Sequence, residues 1–178
     1  MDHCRLPDVD ELIERLSQQV HARLSRRTST QALMIGIQTG GLWIADALAQ
    51  AMKLEDPVGR LDIGFYRDDF ARNGLSAALP PSHLPWPIDG RHVVLVDDVL
   101  YTGRTIRAAI NEIFDYGWPA SITLAVLVSR DGRELPIQAD AVGAELALPA
   151  GTSIKLRGPD ALHLELISIS NAEPHVHA

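Results

Sequence analysis

The stretch that decides the fold is HVVLVDDVLYTGRTI, residues 92–106. A short apolar run leads directly into two adjacent carboxylates, Asp97 and Asp98, and a loop of small and hydroxylated residues follows at 102–105. An apolar run bounded by turn residues predicts a buried strand, and a Gly/Thr loop at the start of a helix is typical of a phosphate site. Because two acids would repel a phosphate, the ligand of this stretch needs a further chemical feature.

Apolar runs of strand length alternate with amphipathic segments along the rest of the chain. Strands are predicted at residues 32–37, 60–69, 92–98, 121–128 and 139–146, with helices at 8–24, 42–52 and 103–116 and two β-like runs in the tail. The alternation predicts an α/β fold with a central, mostly parallel sheet flanked by helices. Ligands of such folds bind at the carboxyl ends of the strands, which carry the sequences QTGG, YRDD, DDVLYTGRT and SRDGR.

The composition indicates one globular domain spanning residues 1–178. Its 46% hydrophobic and 22% charged residues are ordinary for a globular protein. No apolar run approaches the ~20 residues of a membrane helix. The acidic N-terminus lacks an apolar signal core, so we expect a cytoplasmic protein. The formal net charge of −7 argues against a general nucleic-acid binder.

A proline-rich segment, residues 69–90, interrupts the alternating pattern. It contains four prolines and little periodicity. A loop of this length in a compact domain is usually a lid or an insertion. We therefore predict a mobile lid at about residues 69–90.

The acids and the loop together suit a ribose phosphate. Backbone N–H groups at a helix N-terminus bind an anion well, and residues 100–105 would supply them. Ionised carboxylates only accept hydrogen bonds, and the hydroxyls of a sugar diol can donate to Asp97 and Asp98. The stretch lacks the lysine of a P-loop, and GIQTGG at residues 36–41, after the first strand, lacks the glycine spacing of a Rossmann fingerprint. A receiver domain, or acids that merely cap a helix beside a turn at Gly103, are the alternatives.

A resemblance to a known family narrows this interpretation. Residues 93–105, VVLVDDVLYTGRT, closely resemble the 5-phosphoribosyl-1-pyrophosphate (PRPP) motif of type I phosphoribosyltransferases. With LDIGFYRDD at 61–69 and LAVLVSRDGRELPIQAD at 124–140, the chain is similar to the PyrR family, pyrimidine operon regulators that are also uracil phosphoribosyltransferases. The resemblance implies a type I core with a small hood built by the N-terminal helix and the C-terminal strands. It also implies that uracil and PRPP react to give UMP and pyrophosphate with Mg²⁺, in a homo-oligomer.

The resemblance also implies roles for single residues. Asp97, Asp98 and Arg67 would serve catalysis, Arg67 from the start of the lid, and Arg130 would lie in the base pocket. Mg²⁺ would have no assigned direct protein ligand, and Asp97 or Asp98 could reach it through water. Besides the two acids, the residues expected to bind PRPP are the pyrophosphate loop Thr39, Gly40 and Gly41 and the phosphate-loop stretch Val99, Leu100, Tyr101, Thr102, Gly103, Arg104 and Thr105.

The chain departs from the family pattern at two places. The pyrophosphate loop, often KTRG in family members, is QTGG here and has no basic residue. Members that bind messenger RNA carry histidine and arginine at the positions of Gly132 and Gln138. We therefore expect weak or no RNA binding. An RNA-binding regulator that responds to uridine nucleotides, and a phosphoribosyltransferase for another nucleobase, are the alternative functions.

Overall fold

A computed structural model describes residues 6–26, 32–63 and 80–168 of the chain. The helices of these ranges are α1 (Val9–Leu24), α2 (Gly40–Ala51) and α3 (Arg104–Tyr116). The strands are β1 (Leu33–Ile37), β2 (Gly59–Leu61), β3 (His92–Leu100), β4 (Ser121–Arg130), β5 (Ala141–Leu146), β6 (Thr152–Arg157) and β7 (His163–Ser168).

The predicted parallel sheet is confirmed. Five strands lie in the order β2-β1-β3-β4-β5, and every neighbouring pair is parallel. Residues 92–100 form β3, the central strand. All five strands therefore end at one edge of the sheet, where the polar sequences were expected to meet.

Two apolar layers enclose the sheet. On β3, Val94 and Val96 pack with α1 and α2, whereas Val93 and Leu95 pack with α3. Successive side chains of a strand point to opposite faces, so an unbroken apolar run fills both layers. Helix α1 begins at an Asp8 cap, whose carboxylate accepts the N–H groups of residues 10 and 11. Such a cap stabilises a helix by ~1 kcal/mol.

The hood is the antiparallel β6–β7 hairpin. Its apolar side joins the α1–α2 layer, and its turn places Gly158 against the ring of Trp43 near the start of α2. Arg130, at the carboxyl end of β4, donates to the Thr152 carbonyl oxygen at 3.4 Å. Helix α1 lies along the edge strand β5, where Arg15 donates to the Gly143 carbonyl oxygen at 2.9 Å. Residues of α1 and of the hairpin pack in the same apolar layer, and the assignment of α1 to the hood stays a prediction.

Several predicted boundaries differ from the structure by one or two residues, and two differences matter for the site. Strand β3 runs two residues past Asp98 to Leu100, because Val99 and Leu100 continue the pairing with β4. The strand predicted at residues 60–69 is β2, which ends at Leu61, and residues 64–79 lie outside the described part of the chain.

The predicted lid falls into two parts. Residues 69–79, like Arg67, lie outside the described residues, so that part stays a prediction. Residues 80–90 are tied to the body: His83 and Arg60 exchange two backbone hydrogen bonds of 2.8 and 2.9 Å, and Ile88 is buried. Ser82 also donates to the Glu112 carboxylate on α3. These backbone and apolar contacts fasten residues 80–90 to the body in this conformation, and the mobile lid at about residues 69–90 stays a prediction.

Within the described ranges, no helix has both the length and the apolar character needed to cross a membrane.

Candidate functional site

The two acids of β3 differ in their surroundings. Asp97 is 1% exposed, and its Oδ1 accepts the Asp98 N–H at 3.1 Å. Asp98 is half-buried, and its Oδ1 accepts the Val99 N–H at 2.9 Å. The two carboxylates are adjacent in sequence, but only that of Asp98 is open enough to meet a ligand in this conformation.

The turn between β1 and α2 lies directly against these acids. It contains a cis peptide bond between Gln38 and Thr39, and α2 begins at Gly40. A Cβ added at Gly40 would overlap Oδ2 of Asp98, and one added at Gly41 would lie 2.5 Å from the Val96 carbonyl oxygen. The fold therefore brings the predicted pyrophosphate loop, which is 56 to 59 residues earlier in the chain, onto the predicted ribose acids.

Gln38 makes contacts that the sequence did not indicate. Its side chain is 5% exposed, and its Nε2 donates to the Pro80 carbonyl oxygen at 2.7 Å. Its backbone N–H donates to the Leu61 carbonyl oxygen at 2.9 Å. The residue that stands where many family members carry a lysine therefore anchors the turn to residues 61 and 80.

The predicted phosphate loop, Tyr101–Thr105, begins directly after β3 and leads into α3. Leu100 is 1% exposed and packs in the α3 layer as part of β3, so its side chain does not face the loop, and its assignment to PRPP binding stays a prediction. Gly103 has φ +94°, which favours glycine, and its carbonyl oxygen accepts the first helical bond, from the Arg107 N–H at 3.0 Å. The first N–H groups of α3 have no partner within the helix, and a helix N-terminus favours an anion. The loop thus keeps its expected capacity to bind a phosphate.

A segment after β4 supports this loop. The N–H groups of Glu134 and Leu135 donate to the Thr102 carbonyl oxygen at 3.0 and 3.1 Å. The Glu134 carboxylate also binds the Arg104 guanidinium, with an N–O distance of 2.7 Å. The Arg104 side chain, which the sequence assigned to PRPP, is therefore paired with a neighbour in this structure.

Arg130 contacts the loop as well. Its guanidinium carbon lies 4.1 Å from the centre of the Tyr101 ring, within cation–π range. Gly132 has φ +104°, and a Cβ there would overlap the same ring. Tyr101 is thus held between Arg130 and the backbone of residue 132. The assignment of Arg130 to the base pocket stays a prediction, since the contacts observed are to the loop and the hood.

Among the described residues, two guanidinium atoms at the end of β4 and just after it are buried and have no hydrogen-bond acceptor. They are Nε of Arg130 and Nη1 of Arg133. Arg133 donates its other terminal nitrogen to the Ser129 hydroxyl at 3.1 Å. Burial lowers the pKa of the Arg133 guanidinium from its ordinary value. The sequence signal for these contacts was only the polar stretch SRDGR after a buried strand, which could not show where each arginine would lie.

Comparison with protein families gives one match over most of the chain. Residues 5–147 match the model of the phosphoribosyl transferase domain. A protein of Pseudomonas savastanoi pv. phaseolicola (strain 1448A / Race 6), called bifunctional protein PyrR, is 52% identical over 167 residues, which are 94% of this chain and 98% of that protein. A protein of the same name from Pseudomonas paraeruginosa (strain DSM 24068 / PA7) is also 52% identical over 167 residues, with the same shares covered.

Solved structures show the same fold at low identity. A hypoxanthine-guanine phosphoribosyltransferase of Bacillus anthracis superposes with a TM-score of 0.61 at 17% identity, covering 79% of this chain and 82% of that one. A hypoxanthine phosphoribosyltransferase of Trypanosoma cruzi superposes with a TM-score of 0.59 at 21% identity, covering 84% and 80%. At these identities the likeness concerns the fold alone.

Proposed function

The chain belongs to the PyrR family of phosphoribosyltransferases, and from that membership we propose that it transfers the ribose 5-phosphate of PRPP to uracil. The products are UMP and pyrophosphate. One observation carries the proposal: Asp98, the Gly40–Gly41 turn and the Tyr101–Thr105 loop meet at the carboxyl edge of the sheet.

Each part of this edge suits one part of PRPP. The N–H groups at the start of α3 suit the 5-phosphate, because a helix N-terminus binds anions. The Asp98 carboxylate, which has an oxygen outside its bond to Val99, suits the ribose hydroxyls as an acceptor. The Gly40–Gly41 turn opens α2 without an acid in its first turn, so its N–H groups suit the pyrophosphate.

The chemistry requires charge stabilisation and no covalent nucleophile. When the bond from ribose C1 to pyrophosphate breaks, its electron pair leaves with pyrophosphate and positive charge develops on the sugar, as in glycoside hydrolysis. N1 of uracil then forms the new bond to C1 and loses its proton. A carboxylate beside the sugar stabilises the developing charge, and such preorganised contacts are usually the largest catalytic effect. Of the two acids of β3, Asp98 has the more accessible carboxylate, and we assign this role to it.

The oxygen donors of the site fit a magnesium ion that is held mainly by the phosphates of PRPP and by water. No cluster of three or more His, Cys, Asp or Glu side chains that could hold a metal occurs in residues 6–26, 32–63 and 80–168. The Asp98 carboxylate can accept hydrogen bonds from metal-bound water, and Mg²⁺ commonly keeps several waters beside substrate phosphates. When bound, the ion would neutralise charge on the pyrophosphate, which the turn cannot do with side chains.

A PRPP-dependent assay across several bases tests the proposal. Uracil, orotate, hypoxanthine and guanine are each incubated with PRPP, Mg²⁺ and the protein, and nucleotide formation is followed by chromatography. We expect UMP as the main product. Conversion of another base, with uracil inert, would contradict uracil transfer and favour the alternative nucleobase.

The word bifunctional in the relatives' names favours RNA-dependent regulation as a second function. Two contacts and one steric restriction count against strong RNA binding. Arg15 is bonded to β5, Arg23 lies 3.2 Å from the Asp140 carboxylate, and a side chain at Gly132 would overlap Tyr101. Phosphate contacts supply much of the affinity for nucleic acid, so engaged arginines weaken it.

We therefore propose weak RNA binding, which filter binding decides. The probe is the leader RNA of the protein's own pyrimidine operon. UMP is present, and the salt concentration is ~0.15 M. Sub-micromolar, sequence-selective binding would contradict the proposal and make regulation the primary function.

A further inference from the structure

Two backbone donors from the segment after β4 hold the carbonyl oxygen of Thr102. The N–H groups of Glu134 and Leu135 donate to this oxygen at 3.0 and 3.1 Å. A carbonyl oxygen has two lone pairs, so these two bonds use its accepting capacity on the side of residues 134 and 135. They therefore fix the direction of the peptide group that joins Thr102 to Gly103 inside the phosphate loop.

The direction of that peptide group decides what the loop offers to an anion. The bond between Thr102 and Gly103 is trans. In a planar trans peptide the C=O and N–H groups point in opposite directions. Because the Thr102 carbonyl is turned toward residues 134 and 135, the Gly103 N–H points away from them. A flipped peptide would instead present the carbonyl oxygen on that side, and its partial negative charge would repel a phosphate.

The glycine at position 103 gives the loop little resistance to such a flip. A peptide flip changes mainly ψ of Thr102 and φ of Gly103. Glycine populates positive and negative φ about equally, and Gly103 has φ +94° here. No side chain at position 103 opposes the rotation. The two bonds from residues 134 and 135 therefore supply a restraint from outside the loop.

Residues 134–137 are stiff enough to act as that restraint. Pro136 restricts Leu135 to extended conformations, and the Ile137 N–H donates to the Leu135 carbonyl oxygen at 2.7 Å. The Ile137 side chain packs in the α3 layer. The ion pair between Glu134 and Arg104 is a further link, but both side chains are half exposed and such pairs contribute little. The backbone bonds are therefore the main connection between this segment and the loop.

We propose that Glu134 and Leu135 are positioning residues for the 5-phosphate of PRPP. Their N–H groups hold the Thr102 carbonyl away from the phosphate and keep the Gly103 N–H directed toward it. The inference rests on the proposed function, because the 5-phosphate is taken to bind the Tyr101–Thr105 loop. It adds that a segment after β4 contributes to phosphate affinity without touching the phosphate. In the opposing explanation the two bonds only stabilise the fold.

An ester in place of one peptide bond tests the proposal and keeps every side chain. Leucic acid at position 135 replaces the Leu135 N–H by an oxygen, so one of the two donors to Thr102 is lost. The probes are ribose 5-phosphate, which carries the 5-phosphate alone, and pyrophosphate, and the binding of each is measured by calorimetry. Hydrogen bonds to charged groups are strong, so we expect the Kd for ribose 5-phosphate to rise ~10-fold. The Kd for pyrophosphate should not change.

The kinetics should show the same separation. The 5-phosphate takes no part in bond breaking, so its contacts are alike in the ground state and the transition state. Weakening such contacts raises KM and leaves kcat nearly unchanged. We therefore expect the KM for PRPP to rise by about the same factor as the Kd for ribose 5-phosphate. A loss that appeared only in Tm would support the opposing explanation and overturn the proposal.

A matched ester and a second variant complete the test. Lactic acid at position 120 removes a comparable backbone bond at the opposite edge of the sheet, where the Ala120 N–H donates to the Arg91 carbonyl oxygen at 2.9 Å. Its affinity for ribose 5-phosphate should equal that of wild type. Leu135→Pro deletes the same N–H as the first ester and should also weaken ribose 5-phosphate binding.

Two results would overturn the proposal. They are an unchanged Kd for ribose 5-phosphate in the folded position-135 ester, and equal losses of affinity for both probes. Failure of the proposed function gives a different result, because ribose 5-phosphate binding needs no nucleobase. A wild-type protein that binds this probe but transfers ribose 5-phosphate to no base would count against the transferase and not against the positioning role.

Discussion

Replacing each acid of β3 by its amide should separate catalysis from stability. Asp98→Asn keeps an oxygen that can accept the Val99 N–H, and the half-buried side chain keeps its size. What it loses is the negative charge. Loss of a preorganised charge contact costs ~10²–10³ in rate, which is about 2.7–4 kcal/mol of transition-state stabilisation. We therefore expect turnover to fall by that factor while the free energy of unfolding changes by less than ~0.5 kcal/mol.

Asp97→Asn should behave differently because Asp97 is 1% exposed. The amide brings two N–H donors into a site where an oxygen accepts the Asp98 N–H. Buried polar groups without partners cost ~1–3 kcal/mol each. For a chain of this size, 1 kcal/mol shifts Tm by ~2–4 °C, so Asp97→Asn should lower Tm by about 2–12 °C in addition to any loss of activity.

For each variant, an activity assay measures UMP formation from uracil and PRPP. Calorimetry measures Tm. Asp115→Asn, an exposed acid on α3, is the control and should leave both quantities unchanged. A folded Asp98→Asn protein with full turnover would refute the role of this carboxylate. Equal losses of Tm in both variants would refute the distinction between a buried and an accessible acid.

Three further experiments test other parts of the molecule. Gln38→Leu removes the bond to the Pro80 carbonyl oxygen, so we expect an unfolding free energy lower by ~1–3 kcal/mol and weaker PRPP binding, measured by urea titration and calorimetry. Gly132→Ala should displace Tyr101, because the added methyl group overlaps its ring and the φ of +104° is strained for alanine; a crystal structure checks this, and an unmoved ring would contradict it. Proteolysis within the predicted lid at about residues 69–90 should slow when PRPP and Mg²⁺ are added, and equal rates in both states would count against a lid.

The amino-acid sequence alone was sufficient to predict the parallel sheet and the order of the site's parts along the chain. Apolar runs of strand length alternate with amphipathic helices, and only a sheet covered on both faces buries both patterns. The stretch at residues 92–106 combines acids with a Gly/Thr loop, and these neighbours in sequence stay neighbours in the fold. The antiparallel hairpin of the tail was also foreseeable from its two β-like runs.

The tertiary structure decided which side chains are accessible to a ligand and which residues distant in sequence are in close contact. Asp97 and Asp98 look equivalent in sequence, but the packing around β3 buries the first and leaves the second accessible. Gly40 and Asp98 are 58 positions apart, and their contact depends on how closely the start of α2 approaches the central strand. Local patterns report the period of a strand or a helix. They carry no information on the few ångströms between distant segments, and those distances determine where a carboxylate can lie.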